Sequence, residues 1–117
     1  MPQSPIDRLR ATCLALPEAV EQATWGDPTF RVCGKIFAMV KHGDGHCSFW
    51  CKAPLGSQAI LVGADPGRFF VPPYVGHKGW VGMRLEPEPD WAEVADLVRR
   101  SYALVAPKRL VPAVARP

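Results

Sequence analysis

No stretch of this sequence approaches the ~20 consecutive apolar residues that span a bilayer as a helix. The opening residues, Met1 to Pro5, lack the basic head and apolar run of a secretory signal. The expectation is therefore a cytoplasmic protein with no membrane contact, whose thiols stay reduced. Its cysteines, Cys13, Cys33, Cys47 and Cys51, include no C-x-x-C pair, which argues against a dithiol redox motif. A Walker loop, a dinucleotide fingerprint and a G-x-S-x-G elbow are all missing, so no nucleotide or hydrolase signature is present. Neither an internal repeat nor a low-complexity tract interrupts the chain. Excess charge is also scarce: the net charge is +3, with 21% charged residues. A dedicated nucleic-acid binder is often more basic.

What is there fits one globular domain over residues 1–117, with an ordered core from about residue 5 to 110. The apolar fraction is 48%, and a chain of this size buries roughly two-thirds of its unfolded surface, enough to fold without metal or disulfide. Charge is unevenly spread. Arg31, Lys35, Lys41 and Lys52 face only Asp44 in their stretch, and Arg99, Arg100, Lys108, Arg109 and Arg116 have no acid among them. Glu86, Glu88, Asp90, Glu93 and Asp96 form an acidic block between these two basic regions. Such a pattern permits an anionic partner without requiring one.

Ser4-Pro5-Ile6-Asp7 reads as a helix start, with Ser4 as cap and Pro5 in the first turn. Ile6, Leu9, Cys13 and Leu16 continue it as an apolar stripe that Pro17 ends. Val20 to Trp25 and Thr29 to Val32 read as short strands separated by Gly26-Asp27-Pro28. Cys33-Gly34 is a hairpin turn. In the strand Lys35 to Lys41, alternation places Ile36, Ala38 and Val40 on one face and Lys35, Phe37, Met39 and Lys41 on the other. After the turn-forming run His42 to His46, the strand Cys47 to Lys52 turns Cys47, Phe49 and Cys51 to one face and Ser48, Trp50 and Lys52 to the other. Ser57 caps a short helix to Ala64, Arg68 to Val71 is an edge strand, and Trp80 to Leu85 is the last strand. Asp90-Trp91-Ala92-Glu93 opens the longest helix, which runs to about Val105. The order predicts an α+β fold: a single antiparallel sheet with an N-terminal helix, a short middle helix and a long C-terminal helix packed on one face.

Several stretches together resemble the MmcQ/YjbR family of small bacterial proteins. They are Leu16-Pro17-Glu18, Trp25-Gly26-Asp27-Pro28-Thr29-Phe30, Gly34-Lys35-Ile36-Phe37-Ala38, Pro72-Pro73-Tyr74, His77-Lys78-Gly79-Trp80-Val81, and Ser101-Tyr102 ahead of Val105-Ala106-Pro107-Lys108. The resemblance implies a CyaY-like, secretion-chaperone-like α+β fold. It also implies DNA binding through a double wing of hairpins, with no established catalysis or cofactor.

Three functional readings follow, each competing with plain packing and solvation of the same residues. Arg31, Lys35 and Lys41 on two basic hairpins could hold DNA phosphates, in a strongly salt-dependent way. Alternatively, Lys35, Lys52, Tyr74, His77 and Lys78 could form a pocket for a small carboxylate or phosphate metabolite, in a binding module or vestigial enzyme. That reading requires Lys78 to meet Lys35 or Lys52. A third reading is a protein-interaction module, a dimer with an exposed apolar sheet face. Oligomeric state, monomer or homodimer, is open. A metal site is not expected. Cys47 and Cys51 share a strand face about 13 Å apart by strand rise, whereas zinc ligands all lie within ~2.3 Å of the ion. The readings converge on a domain that binds rather than one that turns a substrate over, with no cofactor.

Overall fold

A computed structural model describes residues 4–24, 26–43 and 46–111. Met1 to Gln3, Trp25, Asp44, Gly45 and residues 112–117 lie outside them. The elements are α1 (Pro5–Leu14), β1 (Ala19–Thr24), β2 (Asp27–Val32), β3 (Lys35–Gly43), β4 (His46–Lys52), α2 (Ser57–Ala64), β5 (Phe69–Phe70), β6 (Trp80–Arg84) and α3 (Trp91–Val105), with a 3-10 turn at Gly76–Lys78 before β6. The fold is α+β. All six strands join one antiparallel sheet in the order β1-β2-β3-β4-β6-β5.

The caps explain where the outer helices begin. Ser4 Oγ accepts from Asp7 N–H at the start of α1, and an Asp90 carboxylate oxygen accepts from Ala92 N–H at the start of α3. The middle helix differs from the sequence expectation. Gly56, at φ 87°, occupies its N-cap position and no side chain caps it; Ser57 is already helical. Only glycine takes that backbone without strain.

One face of the sheet carries the core. Phe30, Ala38, Cys51 and Val81 lie in register across β2, β3, β4 and β6, as do Val40, Phe49, Met83 and Phe69 in the next row. Each is at most a few per cent exposed. Leu9 and Cys13 of α1 and Val94, Val98 and Tyr102 of α3 close over them. The β6 alternation matches expectation, with Val81 and Met83 inward and Trp80, Gly82 and Arg84 on the other face.

Alternation fails in β3. Arg31 pairs with Ile36, but Phe30 pairs with Ala38, so Phe37 is one residue too many on that strand. This is a β-bulge, where two residues oppose one. Phe37 and Ala38 both turn inward and both are fully buried, and Phe37 packs edge-on against Tyr102 with ring centroids 5.4 Å apart. The strand reading that grouped Phe37 with Met39 and Lys41 is corrected accordingly. Ile36, Met39 and Lys41 share the outer face, while Lys35 pairs with buried Val32 on the helix side.

The bulge also breaks the hydrogen-bond ladder beyond the Ala38–Cys51 pair. Ser101 of α3 fills the gap. Its hydroxyl donates to Phe37 C=O (2.6 Å) and accepts from Lys52 N–H (2.9 Å). A helix side chain thus stitches two neighbouring strands at the end of the sheet where the candidate site lies.

Candidate anion cleft

At that end, β4 stops at Lys52 and β6 starts at Trp80, its register partner. The chain leaves β4 through Ala53 to Gly56 and enters α2, while the 3-10 turn approaches β6 from the opposite side. Between them lies a cleft of about 540 Å³, lined among others by Lys52, Leu55, His77, Lys78 and Leu104. That volume falls in the range of small-molecule sites.

Gln58 holds the two walls together. Its side-chain amide donates to Gly76 C=O (2.8 Å) and to Trp80 C=O (2.6 Å), so α2 is tied directly to the 3-10 turn. Gly79, at φ 87°, ends that turn with its N–H on Gly76 C=O. Gly76 is buried because Val71 packs where a Cβ would stand. These contacts give the glycines of the His77-Lys78-Gly79 stretch a structural cause and leave His77 and Lys78 exposed on the wall.

The electrostatics of the cleft are one-sided. Lys52 and Lys78 line it, no Asp or Glu does, and among the described residues neither lysine has a carboxylate partner. The uncapped first turn of α2 contributes Gly56, Gln58 and Ala59 to the same wall. An N-terminal helix end adds partial positive charge. A second cleft, about 330 Å³ between α2 and α3, is different in kind. It carries Glu93 and Asp96 beside Arg100, and Arg100 is already paired with Asp96 at 3.0 Å.

The remaining residues singled out in the sequence are scattered. Lys35 does not line the cleft, because the bulge sends it to the other side of the sheet from Lys52. Tyr74 points away as well: it is 88% exposed and sits at φ 69° in a tight turn closed by Val75 N–H on Pro73 C=O. Arg31 and Lys41 lie within the sheet face that the helices leave open, not at hairpin tips. Arg31 donates to Thr24 Oγ1 (2.9 Å) and to Thr29 Oγ1 (3.3 Å). Lys41 Nζ stands 3.8 Å from Asp27 and 5.2 Å from the centre of the Trp50 ring. On the same face Arg84 lies 4.8 Å from the centre of the Phe70 ring, which itself covers Gly82. Cations therefore interrupt the aromatics of this face, so it is not one continuous apolar surface. The side chains of His42 and His46 lie outside the described residues.

The thiols divide in two. Cys13, Cys47 and Cys51 are buried, and burial pushes all three pKa values up, Cys51 to about 12. Cys33 is exposed in the β2–β3 turn, 3.9 Å from Glu18 and 4.0 Å from Arg109. Arg109 binds Glu18 with both nitrogens, at 2.6 and 3.0 Å, and this hydrogen-bonded pair holds the Glu18 carboxyl below its usual range.

Sequence reasoning missed Gln58, Leu55 and Leu104. Gln58 carries no motif signal, because both its partners are backbone carbonyls at distant positions. Two exposed leucines on different elements become neighbours only once the chain is folded.

Together these features define a small α+β domain with a bulged six-stranded sheet, one covered face, and a cationic cleft at the end of β4. The chain belongs to the YjbR family, whose family model matches residues 14–104. No curated protein matches it. Among solved structures it is similar to Deinococcus radiodurans protein DR2400, described by the family-model domain DUF419. That comparison has a TM-score of 0.77 at 22% identity and covers 99% of this chain and 94% of the other. A likeness at that identity speaks for the fold alone.

Proposed function

We propose that this domain binds a small organic anion in the cleft at the end of β4. The observation that carries the reading is the placing of Lys52 and Lys78 on one concavity with no acid among the described residues to neutralise them. Structural lysines usually find a carboxylate or extend into solvent; two unpaired ones on a concave wall favour a negative guest. His77 adds a further donor. Tyr74 and Lys35, grouped with this site in the sequence, are not part of it.

The test is a titration of the ¹⁵N-labelled protein with carboxylates and phosphates. Saturable shifts should cluster at Lys52, Gly56 to Ala59 and His77 to Gly79. Lys52→Gln and Lys78→Gln should each weaken binding about tenfold, the loss of one charge-assisted contact. Shifts scattered over the surface, or an affinity indifferent to both substitutions, would refute the reading.

A second reading, nucleic-acid binding, is favoured by the cations set over aromatics on the open sheet face. Arg31, Lys41 and Arg84 there could meet phosphates while Trp50 and Phe70 stack on bases. Lys35, on the helix side of the sheet, is not part of this face. This places the contact on the face of the sheet and not at wing tips. Quenching of tryptophan fluorescence by a single-stranded oligonucleotide should then weaken steeply with salt and with Lys41→Glu. Quenching that ignores salt would dismiss it.

A further inference from the structure

The walls of the cleft are as informative as its charges. Leu55 is 105% exposed and Leu104 is 43% exposed, and both line the same cleft as Lys52 and Lys78. A single exposed leucine is ordinary. Two of them, one from the β4–α2 connector and one from the last turn of α3, face one concavity with two cations that have no carboxylate partner among the described residues, and no packing role accounts for them. Pro54 and Ala59 extend the apolar wall.

Several of the donors that an inorganic phosphate would need are committed, leaving mainly the first-turn N–H groups of Gln58 and Ala59 at the uncapped start of α2. Ser57 N–H bonds Pro54 C=O, Lys78 N–H bonds Val75 C=O and Gly79 N–H bonds Gly76 C=O. Lys52 N–H is held by Ser101, and both Gln58 amide bonds go to backbone carbonyls. A tetrahedral oxyanion is usually cradled by several backbone N–H groups in a nest. Here the two ammonium groups dominate, beside a wall of apolar side chains.

We infer that the guest is an amphipathic organic carboxylate: one compact anionic head, held by Lys52 and Lys78, and a branched alkyl or aryl body laid against Leu55, Pro54, Ala59 and Leu104. This rests on the anion-binding reading above and narrows it to one class. Non-polar contact supplies the discrimination and charge supplies the orientation, as in most small-molecule sites.

The experiment compares isocaproate, acetate, inorganic phosphate and isohexyl alcohol by calorimetry on the whole chain. Each buried methylene is worth roughly fourfold in affinity, so half-burial of the four extra carbons of isocaproate should give roughly fifteenfold over acetate. The alcohol, which has the body without the charge, should bind more weakly than isocaproate. Leu55→Ser and Leu104→Ser, at exposed positions that folding tolerates, should bring the isocaproate-to-acetate ratio towards one. If acetate or phosphate binds as tightly as isocaproate, or the leucine variants keep the preference, the apolar wall is idle and this inference falls while the anion-binding reading stands. If no anion binds, both fall.

Discussion

Ser101 is the residue at which the fold and the cleft meet, and Ser101→Ala should expose how much the sheet depends on it. The substitution removes the hydroxyl that joins Phe37 C=O to Lys52 N–H. No ladder pair joins these two groups, since β3–β4 pairing ends at Ala38 and Cys51. The residue is fully buried. A buried polar group left without a partner costs about 1–3 kcal/mol. The carbonyl of Phe37 falls fully under that figure; the amide of Lys52, nearer the strand end, falls at its lower limit. Alanine returns about 0.5 kcal/mol through its better helix propensity. The net expectation is a loss of about 2–3 kcal/mol.

For a chain of 117 residues the unfolding entropy is about 0.25 kcal/mol/K. The melting temperature should therefore fall by about 8–12 °C. Urea unfolding followed by tryptophan fluorescence measures the free energy, and native-state hydrogen exchange reads the Lys52 amide directly. Arg99→Ala, on the exposed side of the same helix, is the control and should change stability by less than about 0.5 kcal/mol. A Ser101→Ala loss no larger than that of the control, with the Lys52 amide still protected, would refute the idea that this hydroxyl replaces the missing ladder bond. The variant should also weaken anion binding, since Lys52 is the strand's last residue and loses its anchor.

Three further outcomes follow from the same reasoning. Gln58→Ala frees the carbonyls of Gly76 and Trp80 and should lower stability by about 1–2 kcal/mol, with enhanced amide exchange in residues 76 to 80 and not in β2 or β3. Gly82→Ala should displace the Phe70 ring that lies over it and detach Arg84, at a cost of about 1–2 kcal/mol, visible as a changed Phe70 ring-current pattern. In alkali, the buried Cys13 and Cys51 stay protonated while the unfolded chain ionises its thiols. Their folded pKa values are raised, so their contribution is complete below the ordinary thiol range and is lost above it. As pH rises from roughly 9 to 12 stability should fall, on the order of 1 kcal/mol per pH unit for each buried thiol. Thermal melts at stepped pH check this, and a Cys51→Ala variant should show about half the slope.

Much of the architecture was readable because local and tertiary signals agree. Ser4 and Asp90 cap the helices they were expected to cap, and the buried alternation of Cys47, Phe49 and Cys51 in β4 follows from strand periodicity alone. The long helix was legible from its stripe, whose members Val94, Val98 and Tyr102 are the residues the core holds. What could not be read was the bulge. A strand with apolar residues on both faces gives alternation no way to detect one extra residue, and Lys35-Ile36-Phe37-Ala38-Met39 is such a run. The misplacement of Lys35 in the candidate site follows from that single slip; that of Tyr74 follows from its exposed turn at φ 69°. With Phe37 counted as outward, Lys35 falls on the face of Lys52; with Phe37 inward, it falls on the opposite one.

The same slip explains why a hydroxyl in the C-terminal helix mattered in a way no motif announced. Ser101 reads as an ordinary small residue between Arg100 and Tyr102 until the sheet beneath it lacks a bond. The bulge brings the Phe37 ring onto Tyr102, opens the ladder at Phe37 and Lys52, and so makes room for one helix side chain to fix the end of β4. Lys52, its neighbours in the connector and Lys78 across the cleft then inherit their positions from that closure and from Gln58. The cleft is a consequence of an irregular strand, which is why its cations were visible in the sequence and their grouping was not.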